Sequence, residues 1–163
     1  MSQFNTLKNK IFSVENLKLQ VDKWKVSGER VVFTNGCFDI IHQGHIEVLA
    51  RTADLGTKLI IGLNSDSSIQ KLKGENRPII QQQSRAILLA SFSFVDAVIL
   101  FSEDTPINLI STLLPDVLAK GGDYKVKTIV GHEIVQKNGG KVILVPFVDG
   151  FSSTTIIENI RKY

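Results

Sequence analysis

Short apolar runs separated by segments of helical periodicity constrain the fold of this 163-residue chain more than any other feature. The runs are rich in Val, Ile and Leu without strict alternation, which is typical of strands buried on both faces of a parallel sheet. Five of them occur, at residues 31–34, 58–63, 97–101, 116–119 and 141–147. The pattern predicts an α/β fold, a Rossmann-like, doubly wound, five-stranded parallel sheet with right-handed crossovers.

The segments between these strands are predicted to be helices with recognisable ends. Residues 16–26 are expected to stop before Gly28, because glycine commonly follows the last turn of a helix. Further helices are predicted at residues 45–55, which stop at Gly56, at residues 84–94, from Thr105-Pro106 onward, and at residues 153–160.

Length, charge and cysteine content limit the organisation, partners and location of the chain. One domain is expected over residues 1–163, with residues 1–28 as an N-terminal helical extension. The net charge is only +3, and the basic residues are spread along the sequence, so no nucleic-acid partner is expected. A small anionic ligand is compatible with this mild positive charge. The single cysteine fits a reducing compartment. No apolar stretch approaches the roughly 18 residues that span a bilayer, and the N-terminus lacks a secretory signal, so a cytoplasmic location away from membranes is expected.

Residues 31–45 contain the strongest functional motif. The first predicted strand ends in a turn at Gly36, and His42 and His45 follow at the start of a helix. Free N–H groups and the helix dipole attract anions at such a position, and histidines three residues apart lie on one face. Gly36 and Gly44 allow the backbone to approach a ligand closely. The segment predicts a phosphate-binding site with two imidazole donors.

Segments that follow the other strands are expected at the same edge of the sheet, where ligands bind in folds of this kind. Lys71, Lys73 and Arg77 are expected in a basic loop that folds over phosphates, and residues 120–124 follow the fourth strand. Residues 149–154 open the last helix with hydroxyl and N–H groups, a second anion site. Two such sites and a basic loop favour a nucleoside triphosphate.

The motifs together resemble those of a known family, the HxGH nucleotidylyltransferases. The resemblance begins with Thr34-Asn35-Gly36-Cys37-Phe38-Asp39 and His42-x-Gly44-His45, and it covers almost the whole chain from residue 31. Within that family, later motifs are similar to the adenylyltransferases of ADP-heptose synthesis. Those motifs are Lys73-Gly74-x-x-Arg77-Pro78-Ile79, residues 101–106, Leu114-Pro115-Asp116, residues 120–125 and Asp149-Gly150-x-Ser152.

The resemblance implies transfer of AMP from ATP to a sugar 1-phosphate, D-glycero-β-D-manno-heptose 1-phosphate, with release of pyrophosphate. Such adenylyltransferases occur fused to a sugar kinase domain or as separate proteins. A chain of this length has no room for the kinase, so the stand-alone form is expected, with a separate kinase upstream. The family also implies a Mg²⁺ ion held through the nucleotide phosphates, and a homodimer. The sequence itself shows no evident metal site made by the protein alone.

Roles for individual residues follow from the motifs and the resemblance. We expect His42, His45 and Lys73 to be catalytic, with the two histidines on the triphosphate and Lys73 neutralising charge. Contacts to the acceptor substrate are expected from Asp39, Lys71 and Arg77. Contacts to the nucleotide are expected from Thr34, Asn35, Gly36, Cys37, Phe38, His42, Gly44, His45, Lys120, Gly121, Asp123, Ser152, Ser153 and Thr154.

Other functions are compatible with parts of this pattern. A cytidylyltransferase for glycerol 3-phosphate or a similar polyol phosphate is the main alternative. It is disfavoured because Phe147-Val148 stand where such enzymes carry an Arg-Thr pair, and Ile157 stands where other family members carry arginine. A nucleotide-binding regulator without turnover is disfavoured by the intact histidine motif. A basic nucleic-acid-binding module would require clustered Lys and Arg with interleaved aromatic residues, which are not present.

The same residues also allow two alternative chemistries. Cys37, Asp39, His42 and His45 could be zinc ligands, but four ligands would crowd nine residues without paired-ligand spacing. Cys37 as a nucleophile lacks an evident Asp or Asn partner. Both alternatives are therefore disfavoured.

Overall fold

A parallel sheet of six strands forms the centre of the molecule in the computed structural model, which describes residues 2–148, 150–160 and 162. The order of its strands is β1-β4-β3-β2-β5-β6. The five predicted strands are confirmed as β2 to β6, and β1 is an addition. The bounds are β1 Ile11–Phe12, β2 Val31–Gly36, β3 Lys58–Asn64, β4 Ala97–Phe101, β5 Val117–Gly121 and β6 Lys141–Val145.

Helices flank this sheet, and all five predicted helices are present, the one at residues 153–160 with the predicted bounds and the others with ends up to four residues away. Ser13 caps one of them through its hydroxyl, and His42 caps another through its ring. The bounds are α1 Gln3–Lys8, α2 Val14–Val26, α3 Gln43–Ala53, α4 Asp66–Lys73, α5 Gln82–Ala90, α6 Ile107–Leu113, α7 His132–Lys137 and α8 Ser153–Ile160. Helices α1, α4 and α7 were not predicted. In the described part of the chain, no helix has both the length and the apolar character needed to cross a membrane.

The expected five-strand sheet is corrected by β1, which pairs in parallel with β4 at the edge of the sheet. Ile11 lies opposite Val98 there. A run of two residues is too short to show strand periodicity in the sequence. The N-terminal segment is therefore not only helical. Its helix α2 also buries Leu17 and Val21 completely in the core.

The predicted basic loop is corrected as well, because Lys71 and Lys73 lie in the last turn of α4. The side-chain oxygen of Ser65 accepts a hydrogen bond from the Ser68 N–H and caps this helix. Most of α4 is polar, and Ile69 is its only fully buried apolar side chain among the described residues. A helix with so narrow an apolar face leaves no clear helical period in the sequence.

Two apolar clusters, one on each face of the sheet, form the core. Val32 belongs to one cluster and Phe33 to the other, because neighbouring strand residues point to opposite faces. Both residues are fully buried, and each such side chain contributes about 1.5–3 kcal/mol of hydrophobic free energy. Burial on both faces explains why β2 is apolar without alternation.

The chain reverses its direction of winding at β2, which lies between β3 and β5. From β2 the order runs through β3 and β4 to one side and through β5 and β6 to the other. Ligands bind at the carboxyl ends of strands beside such a switch point. The fold therefore locates the ends of β2 and β5, at Gly36 and Gly121, where a ligand is expected.

Candidate active site

A cleft of about 570 Å³ opens at the carboxyl ends of β2 and β5. It brings together every predicted catalytic residue and every predicted nucleotide contact except Asp123. Of the predicted acceptor contacts, Asp39 lines it, whereas Lys71 and Arg77 do not. The predicted residues on its wall are Thr34, Asn35, Gly36, Cys37, Phe38, Asp39, His42, Gly44, His45, Lys73, Lys120, Gly121, Ser152, Ser153 and Thr154.

The floor of the cleft is the β2–α3 loop, residues 37–42. Phe38 has a positive φ of 46°, a backbone conformation that side-chain-bearing residues adopt rarely. Its ring lies so close to Gly36 that a Cβ on Gly36 would approach Phe38 Cε2 to 2.9 Å. The same ring packs edge-on against His45, with 5.5 Å between the ring centres. Gly36 and Phe38 thus fix the position of the His45 imidazole.

The ring of His42 is the N-terminal cap of α3. Its Nδ1 accepts a hydrogen bond from the backbone N–H of His45 at 3.4 Å, which leaves the proton of a neutral ring on Nε2. The rings of His42 and His45 stack, with centres 3.9 Å apart. Desolvation lowers the pKa of His42. His42 can therefore donate one hydrogen bond to a ligand from a neutral imidazole.

His45 is the most strongly perturbed of these groups. Burial, followed by the nearby His42 and Lys73, lowers the pKa of His45 from 6.5 to about 4. Its Nδ1 is buried and has no hydrogen-bond partner among the described residues. An unpaired buried polar atom costs about 1–3 kcal/mol, and a ligand oxygen in the cleft could remove that cost. The ring is neutral at neutral pH and offers one N–H donor.

Among the described residues, two lysines bring positive charge to the cleft. Lys120, at the end of β5, donates hydrogen bonds to the backbone oxygen of Asn35 at 3.2 Å and to its side-chain oxygen at 3.1 Å. Burial lowers the pKa of Lys120, although the nearby Cys37 acts in the opposite direction. An ammonium group has three N–H donors, so one remains for a ligand. Lys73 reaches the cleft from the last turn of α4.

The start of α8 closes the opposite wall. Ser153 donates a hydrogen bond from its hydroxyl to the backbone oxygen of Ile40 at 3.0 Å, which ties α8 to the β2–α3 loop. The Ser152 hydroxyl accepts from the N–H of Thr155 at 3.4 Å. Asp149, which belongs to the motif before this helix, lies outside the described residues.

The predicted acceptor contacts have other partners in the structure. Asp39 is almost fully buried, accepts from Arg77 Nε at 2.6 Å, and accepts from the N–H groups of Ile79 and Ile80. Lys71 is exposed and lies 3.9 Å from Asp104. The carboxylate of Asp39 therefore holds the segment after α4 in place. Contact of Asp39, Lys71 and Arg77 with a substrate stays a prediction, as does contact of the exposed Asp123 with the nucleotide.

Sequence reasoning missed two groups of residues at this site. Arg85 is completely buried behind the cleft and donates to the backbone oxygen of Cys37 at 2.6 Å. An arginine in a helix ordinarily indicates an exposed position, so the sequence contains no sign of this role. The aromatic side chains Tyr124, Phe147 and Phe151 also line the cleft. Their closeness in sequence to Gly122 and Gly150 could have indicated them.

Comparison with known proteins agrees with this geometry. A protein family described as cytidylyltransferase-like matches residues 33–159. The bifunctional protein HldE of Geobacter sulfurreducens is 56% identical over 138 residues, which are 85% of this chain and 28% of that protein. The bifunctional protein HldE of Rhodospirillum rubrum is 49% identical over 153 residues, 94% of this chain and 31% of that protein.

A solved structure is similar as well. The crystal structure of the lipopolysaccharide core biosynthesis protein from Thermoplasma volcanium superposes with a TM-score of 0.59 and 28% sequence identity, covering 74% of this chain and 98% of that one. The present chain spans less than a third of the length of the two HldE relatives. The family match, in contrast, extends over most of the chain and includes the whole cleft. The chain therefore belongs to the cytidylyltransferase-like family.

Proposed function

We propose that the chain transfers AMP from ATP to a sugar 1-phosphate, D-glycero-β-D-manno-heptose 1-phosphate, and releases pyrophosphate. The observation that carries this proposal is the convergence of His42, His45, Lys73 and Lys120 on one cleft at the switch point of the sheet. These groups suit a polyphosphate chain because they combine neutral N–H donors with two cations. The motif resemblance, and a solved relative from lipopolysaccharide core biosynthesis, support a heptose as the acceptor sugar.

The chemistry requires alignment more than proton transfer. An oxygen of the acceptor phosphate attacks the α-phosphorus of ATP, the new P–O bond forms, and the bond to the β-phosphate oxygen breaks in line with it. A phosphate monoester is already ionised near neutral pH, so no strong base is needed. His45 and His42 donate N–H groups to phosphate oxygens, and Lys73 offsets negative charge that shifts to the leaving pyrophosphate.

Mg²⁺ is part of the proposal through the nucleotide. The described residues contain no group of three or more His, Cys, Asp or Glu side chains able to hold a metal ion. Oxygen ligands for Mg²⁺ would then come from the phosphates and water, as is usual for this ion in nucleotide sites. When bound, the ion supplies additional neutralisation of phosphate charge. A homodimer, a separate upstream kinase and a cytoplasmic location stay predictions.

Pyrophosphate release tests the proposed function directly. The chain is incubated with ATP or CTP and Mg²⁺, against heptose 1-phosphate, other sugar 1-phosphates and glycerol 3-phosphate. We expect release with ATP and the heptose 1-phosphate. Release with CTP and a polyol phosphate alone would replace the proposal by the cytidylyltransferase alternative, and release with no pair would reject turnover altogether.

A further inference from the structure

Arg85 is the largest side chain that is fully buried in the described part of the molecule. Its guanidinium group donates hydrogen bonds to four acceptors on four segments around the site. These are the backbone oxygens of Cys37 at 2.6 Å, Asn64 at 2.9 Å and Ile80 at 2.8 Å, and Asp66 Oδ1 at 2.7 Å. One arginine thereby connects the β2–α3 loop, the end of β3 and both ends of the segment that contains α4.

Asp66 is the acidic partner of this buried cation. Its side chain is 31% exposed, while that of Arg85 has no exposed surface. A buried charge is tolerated only when it is paired and hydrogen-bonded, so the Arg85–Asp66 contact has a strict geometry. A planar guanidinium group fixes that geometry further, because its donors have set directions.

Asp66 and Lys73 are the first and last residues of α4. A helix of eight residues is about 12 Å long and moves as a rigid rod. Fixing its first residue to the core therefore fixes the direction in which Lys73 leaves its last turn. Beyond α4, Arg77 is held by Asp39 at 2.6 Å, so the segment is attached to the β2–α3 loop at a second point.

We infer that the Arg85–Asp66 pair is a positioning device that sets Lys73 against His45 across the cleft. Neither member lines the cleft. Arg85 is bonded to the β2–α3 loop through the backbone oxygen of Cys37 and to α4 through the carboxylate of Asp66. The position of α4 is thereby fixed relative to that loop. The inference rests on the proposed function in one respect, which is that Lys73 interacts with a bound nucleotide.

A double-mutant cycle of Asp66→Asn and Lys73→Ala tests this role. Asn keeps the size of the side chain and removes its charge, which loosens the contact with Arg85. We expect Asp66→Asn to weaken ATP binding in Mg²⁺, measured by calorimetry, and pyrophosphate release by about tenfold each when Lys73 is present. In the Lys73→Ala background, the same substitution should change neither measurement by more than about twofold.

Asp104→Asn is the matched control. It also removes a carboxylate that faces a lysine of α4, because Asp104 lies 3.9 Å from Lys71, but both partners are exposed. We expect wild-type ATP binding and turnover. Arg85→Lys is the second test of the pair, since one amine cannot serve four acceptors. If that variant fails to fold, the Asp66→Asn cycle alone decides the matter.

The outcomes separate this inference from the proposed function. Equal losses from Asp66→Asn with and without Lys73 would overturn the positioning role, because the damage would not pass through Lys73. ATP binding without transfer to any sugar 1-phosphate would reject the proposed function and leave the binding cycle valid. A chain that binds no ATP would overturn both.

Discussion

The two helix starts that face each other across the cleft are built in different ways. Helix α3 buries Gly44 in its first turn and packs its inner face into the core through Leu49 and Thr52. Helix α8 has no buried residue among those described. Stacked imidazoles form the first site, while the hydroxyl groups of Ser152, Ser153 and Thr154 line the second.

This difference indicates that the two sites have different roles. His45 is half-buried and neutral, and its partly desolvated surroundings strengthen hydrogen bonds to phosphate oxygens. The hydroxyl groups at the start of α8 compete with solvent, so each contributes less. Reaction chemistry is therefore expected at α3, and adjustable retention of the nucleotide at α8.

The largest effect is expected from His45→Ala. Loss of a donor aimed at charge that develops in the transition state lowers kcat by about 10²–10³-fold. Initial rates of pyrophosphate release measure the change. His132→Ala is the control, because this third histidine lies in α7, outside the cleft lining. Near-normal turnover by a folded His45→Ala variant would show that the start of α3 does not have the larger role in catalysis.

Gly44→Ala tests whether the spacing between the starts of α3 and α8 affects catalysis. An added Cβ would lie 2.8 Å from Phe151 Cβ and 3.2 Å from His42 Nδ1, so it would push the α8 side away from α3. We expect kcat/KM for ATP to fall by about tenfold, because overpacking of this kind costs roughly 1–3 kcal/mol. The melting temperature should change little, since alanine favours a helix over glycine by about 1 kcal/mol.

Gln43→Ala is the control for that variant. Gln43 is exposed in the same turn of α3, does not line the cleft, and contacts Glu47 through its side-chain amide. Its kcat/KM should match the wild type. If Gly44→Ala also keeps wild-type kcat/KM, then the spacing between the α3 and α8 sites does not limit catalysis.

The sequence predicted the α3 half of the site better than the elements that support it. Strand β2 and the two histidines lie in one continuous stretch of the sequence. Residues that are close in sequence stay close in the folded chain, so their arrangement could be predicted. The role of Arg85 depends on the backbone oxygens of residues 37 and 64, which are distant along the chain, as well as on that of Ile80, five residues before it. Nothing near Arg85 in the sequence distinguishes it from an exposed helical arginine.

Helix α4 was missed for a related reason. Its position is set by polar contacts, such as the bond from Asn64 Nδ2 to Ser68 Oγ at 2.9 Å, and these leave no periodic apolar pattern. Lys73 nevertheless lines the cleft, and its catalytic role stays a prediction. Its place at this edge depends on where the strand ends meet, which the order of elements already predicts.

Lowering the pH tests whether His45, in the first turn of α3, has a lowered pKa in the folded chain. Because the pKa of His45 falls from 6.5 to about 4 on folding, the unfolded chain binds more protons than the folded chain between those values. Stability should therefore fall as the pH drops through this window, and His45 should make no difference above it. Melting temperatures measured from pH 7.5 to 5 should fall more steeply for the wild type than for His45→Gln. Equal slopes for the two proteins would show that the pKa of His45 is not lowered in the folded chain.

The smallest effect is expected from Ser153→Ala, at the start of α8. This change removes one hydrogen bond to the Ile40 oxygen, worth about 0.5–1.5 kcal/mol, and should raise KM for ATP by roughly 2–10-fold with kcat almost unchanged. Thr155→Ala is the control, because Thr155 is exposed on the same helix and outside the cleft lining. A fall in kcat instead of a rise in KM would mean that α8 helps to align the reacting phosphate. The two helix starts would then act as one catalytic unit, despite their unequal burial.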